Sequence, residues 1–305
     1  MNPLSESYAI LMAGQLSERE GMGLSLRDSP VFRRAAEEYG ALTGGRFERW
    51  MTEAPQGEIS EAFTAPAVMV LYDCLCGKAA EDRWGPPAVA AGYSLGFYAA
   101  AILAGCVSPA VILEWLERVN DCNRRTFPAG AFSLLAVTGL SSSDLEGRFA
   151  EWGLSRMTVA NLNNGRQIVV AGPSGEAAEA LDRLAGVALD VRKVPLDIPL
   201  HTPYIAPARH EVAAWWATIP ARTPTCVLLS PVDGRPISDG PAFKAAMLDS
   251  LVSPTHWQNV IERLKMFRVA WALDVSPGGE LGRMSKWAYR ELEVLPASSL
   301  WKVDR

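Results

Sequence analysis

The feature that most constrains this chain is the stretch 88–100, AVAAGYSLGFYAA, where Gly92-Tyr93-Ser94-Leu95-Gly96 separates an apolar run from an alanine-rich one. A G-x-S-x-G pattern flanked in this way predicts a strand that turns abruptly into a helix. Such a turn leaves no room for side chains at its glycines and pushes the serine hydroxyl outward. The helix that follows aims free N–H groups and its positive end at the same point. The pentapeptide alone arises by chance in about one chain in ten of this length, so its flanks and a partner for the serine must carry the argument.

A serine nucleophile needs a base, and the chain holds three histidines, His201, His210 and His256. His210 is expected to open a Trp-rich helix, and His256 stands beside Trp257 at another helix start; both read as surface or packing residues. His201 lies in VPLDIPLHTPYI, between two prolines that hold the chain out of regular structure. A histidine presented on a stiff loop suits a positioned base, and the order serine then histidine fits hydrolase-like topologies.

Around the elbow, short apolar runs alternate with amphipathic stretches. Tyr8–Ala13, Ala88–Gly92, Cys226–Ser230 and Val269–Val275 read as buried strands, and Phe63–Cys76, Gly96–Gly105 and Pro109–Arg124 as helices. This alternation predicts an α/β fold with parallel strands. One block differs: Phe132–Val137, Ser142–Trp152, Met157–Asn161, Gln167–Ala171, Glu176–Leu184 and Val191–Leu196 run strand–helix–strand–strand–helix–strand. That order describes a ferredoxin-like unit. The expected plan is an α/β-hydrolase-like catalytic subdomain over 1–127 and 197–305, with a small ferredoxin-like subdomain inserted at 128–196.

A formal net charge of −5 argues against a general nucleic-acid role, since phosphate binding needs a basic field. No segment approaches a membrane span, and the short apolar run at Tyr8–Ala13 lacks the flanks of a signal peptide. The expected setting is cytoplasmic, and the expected state a monomer. Cys74, Cys76, Cys106, Cys122 and Cys226 are scattered in apolar surroundings, which predicts buried reduced thiols rather than a metal site.

Several ordered segments together resemble one family, the malonyl-CoA:acyl-carrier-protein transacylases and the acyltransferase domains of polyketide synthases. AGQLSEREGMG is similar to the family's P-G-Q-G-S-Q…G-M, and GYSLGFYAA with LAGCVS to G-H-S-L-G-E-Y-A-A with its trailing A-G. VANLNNGRQIVVAG resembles N-x-N…Q-x-V-x-x-G, and VPLDIPLHTPYI resembles V-x-x-P-x-H. SPTHW and DVSPGGELGRM resemble N-P-V-x-W and V-G-P-G-x-x-L. The family also carries a ferredoxin-like insertion where this chain is expected to have one.

The resemblance implies that Ser94 accepts the acyl group, that His201 is the general base, and that a backbone carbonyl near Ser250, rather than Asp197, orients the histidine. It implies an oxyanion hole from the N–H groups of Gln15 and Leu95, worth several kcal/mol of barrier lowering. Asn161 and Asn163 would line the same cleft, with a purely structural reading as turn residues equally open. No bound cofactor is implied; the substrate would be an acyl-CoA or phosphopantetheine thioester and the partner an acyl carrier protein. Carrier proteins are acidic, so a docking rim needs cations, for which Arg192 with Lys193 and Arg124 with Arg125 are candidates.

The chain departs from the family at Tyr93, usually histidine, and at Phe97, usually Glu or Gln. Malonyl-specific members hold the substrate carboxylate with an arginine on the helix after the elbow. Counted without gaps that position is Val119, with Arg118 next to it but about 100° away around a helix. Tyr93, Phe97 and Val119 would then shape a pocket for a group other than malonyl, neutral or amine-bearing, with Asp121 a candidate partner for an amine. The alternatives are a hydrolase that clears carrier proteins, ordinary malonyl transfer served by Arg118, and an inactive docking module.

Overall fold

A computed structural model describes residues 7–301 of the chain. β1 (Tyr8–Met12) is buried along its whole length and lies at the centre of a parallel sheet. Its alternate side chains enter two cores, as a two-residue repeat requires. Ile10 and Met12 pack on the side of α1 (Pro30–Leu42), α2 (Phe47–Thr52) and α3 (Gln56–Ile59), and against α4 (Ala65–Trp84). Ala9 and Leu11 face the opposite core.

β2 (Val89–Gly92) pairs in parallel with β1 and turns directly into α5 (Gly96–Leu103). α6 (Pro109–Thr126) follows, started by Ser108, whose hydroxyl accepts from Val111 N–H, and by Pro109 in its first turn. Ile112, Leu116, Val119 and Asn123 form its buried stripe, while Glu114, Arg118 and Arg125 face water. This i, i+4, i+7, i+11 spacing keeps one face toward the core.

The next segment builds a second sheet. β3 (Phe132–Thr138), α7 (Ser142–Trp152), β4 (Thr158–Asn164), β5 (Gln167–Pro173), α8 (Ser174–Leu184) and β6 (Asp190–Val194) follow in order. The strands are arranged β6-β3-β5-β4, each neighbouring pair antiparallel, which is the ferredoxin-like arrangement. α7 starts with a reciprocal capping box between Ser141 and Asp144.

The chain then returns through α9 (Ala206–Thr218), β7 (Val227–Leu228) and α10 (Gly240–Val252). β8 (Thr255–His256) pairs in parallel with β4, so a strand from beyond the inserted segment completes the second sheet. α11 (Trp257–Leu264), β9 (Trp271–Asp274), α12 (Glu280–Ala288) and β10 (Glu293–Pro296) follow, and the first sheet has the order β10-β9-β1-β2-β7. The Asp274 carboxylate accepts from Ser276 N–H at 2.8 Å and from Gly282 N–H at 2.7 Å, tying the glycine-rich loop after β9 to the start of α12.

Some boundaries differ from the sequence reading. The strand expected over Cys226–Ser230 is two residues long, Val227–Leu228, and pairs with β2 at the edge of the sheet. β4 runs on through Asn164, so Asn161 and Asn163 are strand residues, and only Gly165 and Arg166 form the turn. His210 lies inside α9 rather than at its start. Cys74, Cys76, Cys106 and Cys122 are buried free thiols, and Cys226 is half-buried. Among the described residues no helix is long and apolar enough to cross a membrane.

Candidate active site

The elbow exists because two backbones cross with nothing between them. A Cβ on Gly92 would overlap the backbone of Gly96 and Phe97, and one on Gly96 would overlap the carbonyl of Met12. Ser94 sits at the apex with φ of 53°, in the left-handed region that non-glycine residues rarely adopt. The turn is held by Gly96 N–H donating to the Tyr93 carbonyl at 2.9 Å and by Phe97 N–H donating to Ser94 at 3.1 Å.

His201 reaches this serine from the far side. It too has positive φ, 61°, in a turn where the Thr202 hydroxyl donates to the Pro199 carbonyl at 2.6 Å. Ser94 Oγ and His201 Nε2 are 2.6 Å apart, and His201 Nδ1 lies 2.7 Å from the Ser250 carbonyl. A carbonyl can only accept, so the proton belongs on Nδ1 and Nε2 is left to accept from the serine hydroxyl. Burial pushes the imidazolium below its usual range, with the Ser250 carbonyl opposing in part, so the imidazole is neutral near pH 7 and competent as a base. Asp197 is engaged elsewhere, accepting from Gly130 N–H at 3.0 Å.

Two N–H groups complete the arrangement. Leu95 is the N-cap of α5, and Gln15 precedes Leu16, whose φ of 74° turns the loop after β1. Both residues line the cavity at Ser94, and neither backbone N–H has a protein acceptor among the described residues. Donors left free beside a nucleophile can stabilise the oxyanion of an acyl-transfer intermediate.

α6 presents one face to the cavity. Val119 lines it beside Leu116 and Asn120, whereas Arg118 points away. The Arg118 guanidinium pairs with Glu114 at 2.7 Å and lies 4.6 Å from the ring centre of Trp215. Pro66, Tyr98, Leu200 and Leu251 complete the wall.

Other residues singled out from the sequence lie elsewhere. Phe97 is fully buried against Phe243 on the core side of α5, because a helix turns it away from Ser94. Tyr93 packs edge-on against Trp257, and its hydroxyl donates to Asn163 Oδ1 at 2.7 Å, joining the elbow to the second sheet. Asn161 pairs with Thr255 and Val169 in that sheet, so neither asparagine faces the cavity. Asp121 is paired with Arg124, not set in the cavity. Of the proposed docking cations, Arg124, Arg125 and Arg192 are paired with Asp121, Glu211 and Asp190. Lys193, exposed on the edge strand β6, has no ion pair among the described residues. The sequence reading missed Leu116, about one turn before Val119, and Asn120, on its other side from Arg118 and four residues after Leu116; Pro66, Leu200 and Leu251 come from distant elements and carry no local signal.

A serine on a strand-to-helix elbow, held by a carbonyl-oriented histidine beside two free N–H groups, defines an enzyme of the serine acyl-transfer class. The family model for the acyl transferase domain matches residues 10–301. The chain therefore belongs to the acyl transferase family and is an acyltransferase. It is 27% identical to the malonyl CoA-acyl carrier protein transacylase of Escherichia coli O157:H7, over 96% of this chain and 95% of that one. It is 29% identical to the polyketide biosynthesis protein ThaF of Burkholderia thailandensis, over 86% of this chain but 23% of that protein. The solved structure of the malonyl CoA-acyl carrier protein transacylase from Coxiella burnetii shares the fold with a TM-score of 0.90 at 24% identity, covering 97% and 96% of the two chains.

Proposed function

We propose that the protein transfers an acyl group from a CoA or phosphopantetheine thioester to an acyl carrier protein through an ester on Ser94. The observation that carries this reading is the 2.6 Å approach of Ser94 Oγ to a buried His201 whose other nitrogen faces a carbonyl. In the first half-reaction Ser94 gives its proton to His201 Nε2 as Oγ bonds to the thioester carbon. The C–S bond then breaks, and the leaving thiol takes that proton. In the second half-reaction the carrier's pantetheine thiol gives its proton to His201 and attacks the ester, and Ser94 recovers its hydrogen. The N–H groups of Gln15 and Leu95 hold the oxyanion in both. No bound cofactor is needed for these steps.

For the acyl group, two lines of support diverge. The names of the relatives favour ordinary malonyl transfer, and a structural neighbour with a TM-score of 0.89 at 21% identity is a malonyl-transacylase in complex with a type II polyketide synthase carrier protein. That neighbour and the ThaF relative also support a polyketide setting. One observation favours an uncharged group instead: Val119 faces the cavity, Arg118 is held outside it, and no residue lining it carries a fixed charge. A malonyl carboxylate buried there would lose water without gaining a cation.

Rapid-quench acylation with malonyl-, acetyl- and butyryl-CoA, followed by discharge to a holo carrier protein or to water, tests both parts. Slow malonyl loading that improves in Val119→Arg supports the uncharged reading. Fast malonyl loading by the wild type establishes malonyl transfer. Discharge to water at the same rate with and without carrier makes the protein a hydrolase.

A further inference from the structure

The cavity at Ser94 is small, about 50 Å³. One water-sized group occupies roughly 10–15 Å³ on that measure, so the cavity holds about four and suits the first carbons of an acyl group. It adjoins a second, larger space of about 310 Å³. Leu116 and Asn120 line both, and successive residues of α4 divide between them, Pro66 facing the cavity and Ala67 the groove. The partition along the α4–α6 seam is therefore only side chains thick. Asn120 is half-buried, and its amide has no protein partner among the described residues, so nothing pins it across the opening.

The groove beyond has an apolar wall beside a polar one. Leu42, Trp50, Phe63 and Leu113 line it. Of its cations, Arg124 is paired with Asp121 and lies over the Phe63 ring, and Arg46 lies over Trp50 with its Nε donating to the Thr43 carbonyl. With Glu117 and Asp121 balancing the two arginines, the groove offers no net charge to an ionised end group.

We infer that the groove between α4 and α6 is a second acyl subsite, which takes the distal part of an uncharged, medium-length chain esterified to Ser94. Leu116 and Asn120 form the gate between the two spaces. This deepens the uncharged-acyl reading above and rests on it.

The test is single-turnover acylation of the intact protein by saturated acyl-CoA donors from two to twelve carbons, read by intact mass. Octanoyl and decanoyl donors should load at least tenfold faster than acetyl at equal low concentration. In Ala67→Trp, which fills the groove, the ratio of decanoyl to acetyl loading should fall at least tenfold. Because that variant could fold poorly, the wild type is also loaded with a decanoyl-CoA bearing a terminal diazirine and irradiated. Adducts should map to the groove walls, on the 42–67 segment or on α6.

Loading that declines steadily beyond four carbons overturns the subsite, as do adducts elsewhere. Equal slowing of short and long donors by Ala67→Trp would mean that the groove holds the pantetheine arm. Absence of acylation by every donor would instead overturn the transferase reading itself.

Discussion

Substituting Gly92 by alanine tests whether the crossing of β2 and α5 creates the nucleophile. The added Cβ would lie well inside the 3.4 Å at which ordinary contact begins, against the backbone of Gly96 and Phe97 rather than a movable side chain. The strand end and helix start must separate by roughly 1 Å. Overpacking of this kind costs about 1–3 kcal/mol. At about 2–4 °C per kcal/mol for a domain of a few hundred residues, the melting temperature should drop by roughly 2–12 °C. The larger effect is on chemistry, since displacing a reacting group by about 1 Å can cost a hundredfold in rate. Gly147→Ala supplies the opposite sign: it lies in the exposed middle of α7 with nothing near its added Cβ, and should stabilise by roughly 0.5–1 kcal/mol. Thermal unfolding and rapid-quench acylation read both. Gly92→Ala with wild-type stability and acylation rate would refute the reasoning, because the glycine would then not be what permits the elbow.

The acylation rate should be flat through neutrality and fall about tenfold per pH unit below a midpoint lying under the ordinary histidine value of 6.5, because burial holds His201 neutral and only the neutral ring can accept the serine proton. The same depression makes the unfolded chain bind the proton first, so this group's contribution to stability is present above the unfolded value and is lost as pH falls from there through the lower folded value. A kinetic midpoint above 6.5, measured on wild type with a neutral donor, would contradict this. Tyr93→Phe leaves Asn163 Oδ1 without its donor and should cost about 1–3 kcal/mol. A double-mutant cycle with Asn163→Ala should show coupling of about 1 kcal/mol in urea unfolding, and additive effects would mean that the bond does not join elbow to sheet.

The parts of the fold set by local chemistry were legible in the sequence. The elbow is dictated by Gly92 and Gly96 within five residues, and the inserted block by a period that switches between two and 3.6. His201 stood out because Pro199 and Pro203 hold it in a loop. What the sequence did not reveal depends on tertiary direction. Phe97 follows the elbow closely yet turns to the core, and Tyr93 precedes the nucleophile yet bonds Asn163 across the subdomain boundary. The choice between Val119 and Arg118 turned on one residue of helical rotation, which the packing of α6 decides by placing the apolar side chain inward and the arginine against Glu114 and Trp215. The fifth strand of the small sheet, Thr255–His256, is two residues long and has no periodicity to read.

The central claim is that Ser94, activated by His201, carries the acyl group. The most direct measurement is rapid-quench intact mass with peptide mapping, after mixing wild type, Ser94→Ala and His201→Ala with the best acyl donor of the panel. The account predicts one acyl mass per wild-type chain, located on Ser94. It predicts none on Ser94→Ala, and acylation of His201→Ala slowed by roughly 10²–10⁴. An acyl group mapped to another residue, or His201→Ala loading as fast as wild type, would contradict it.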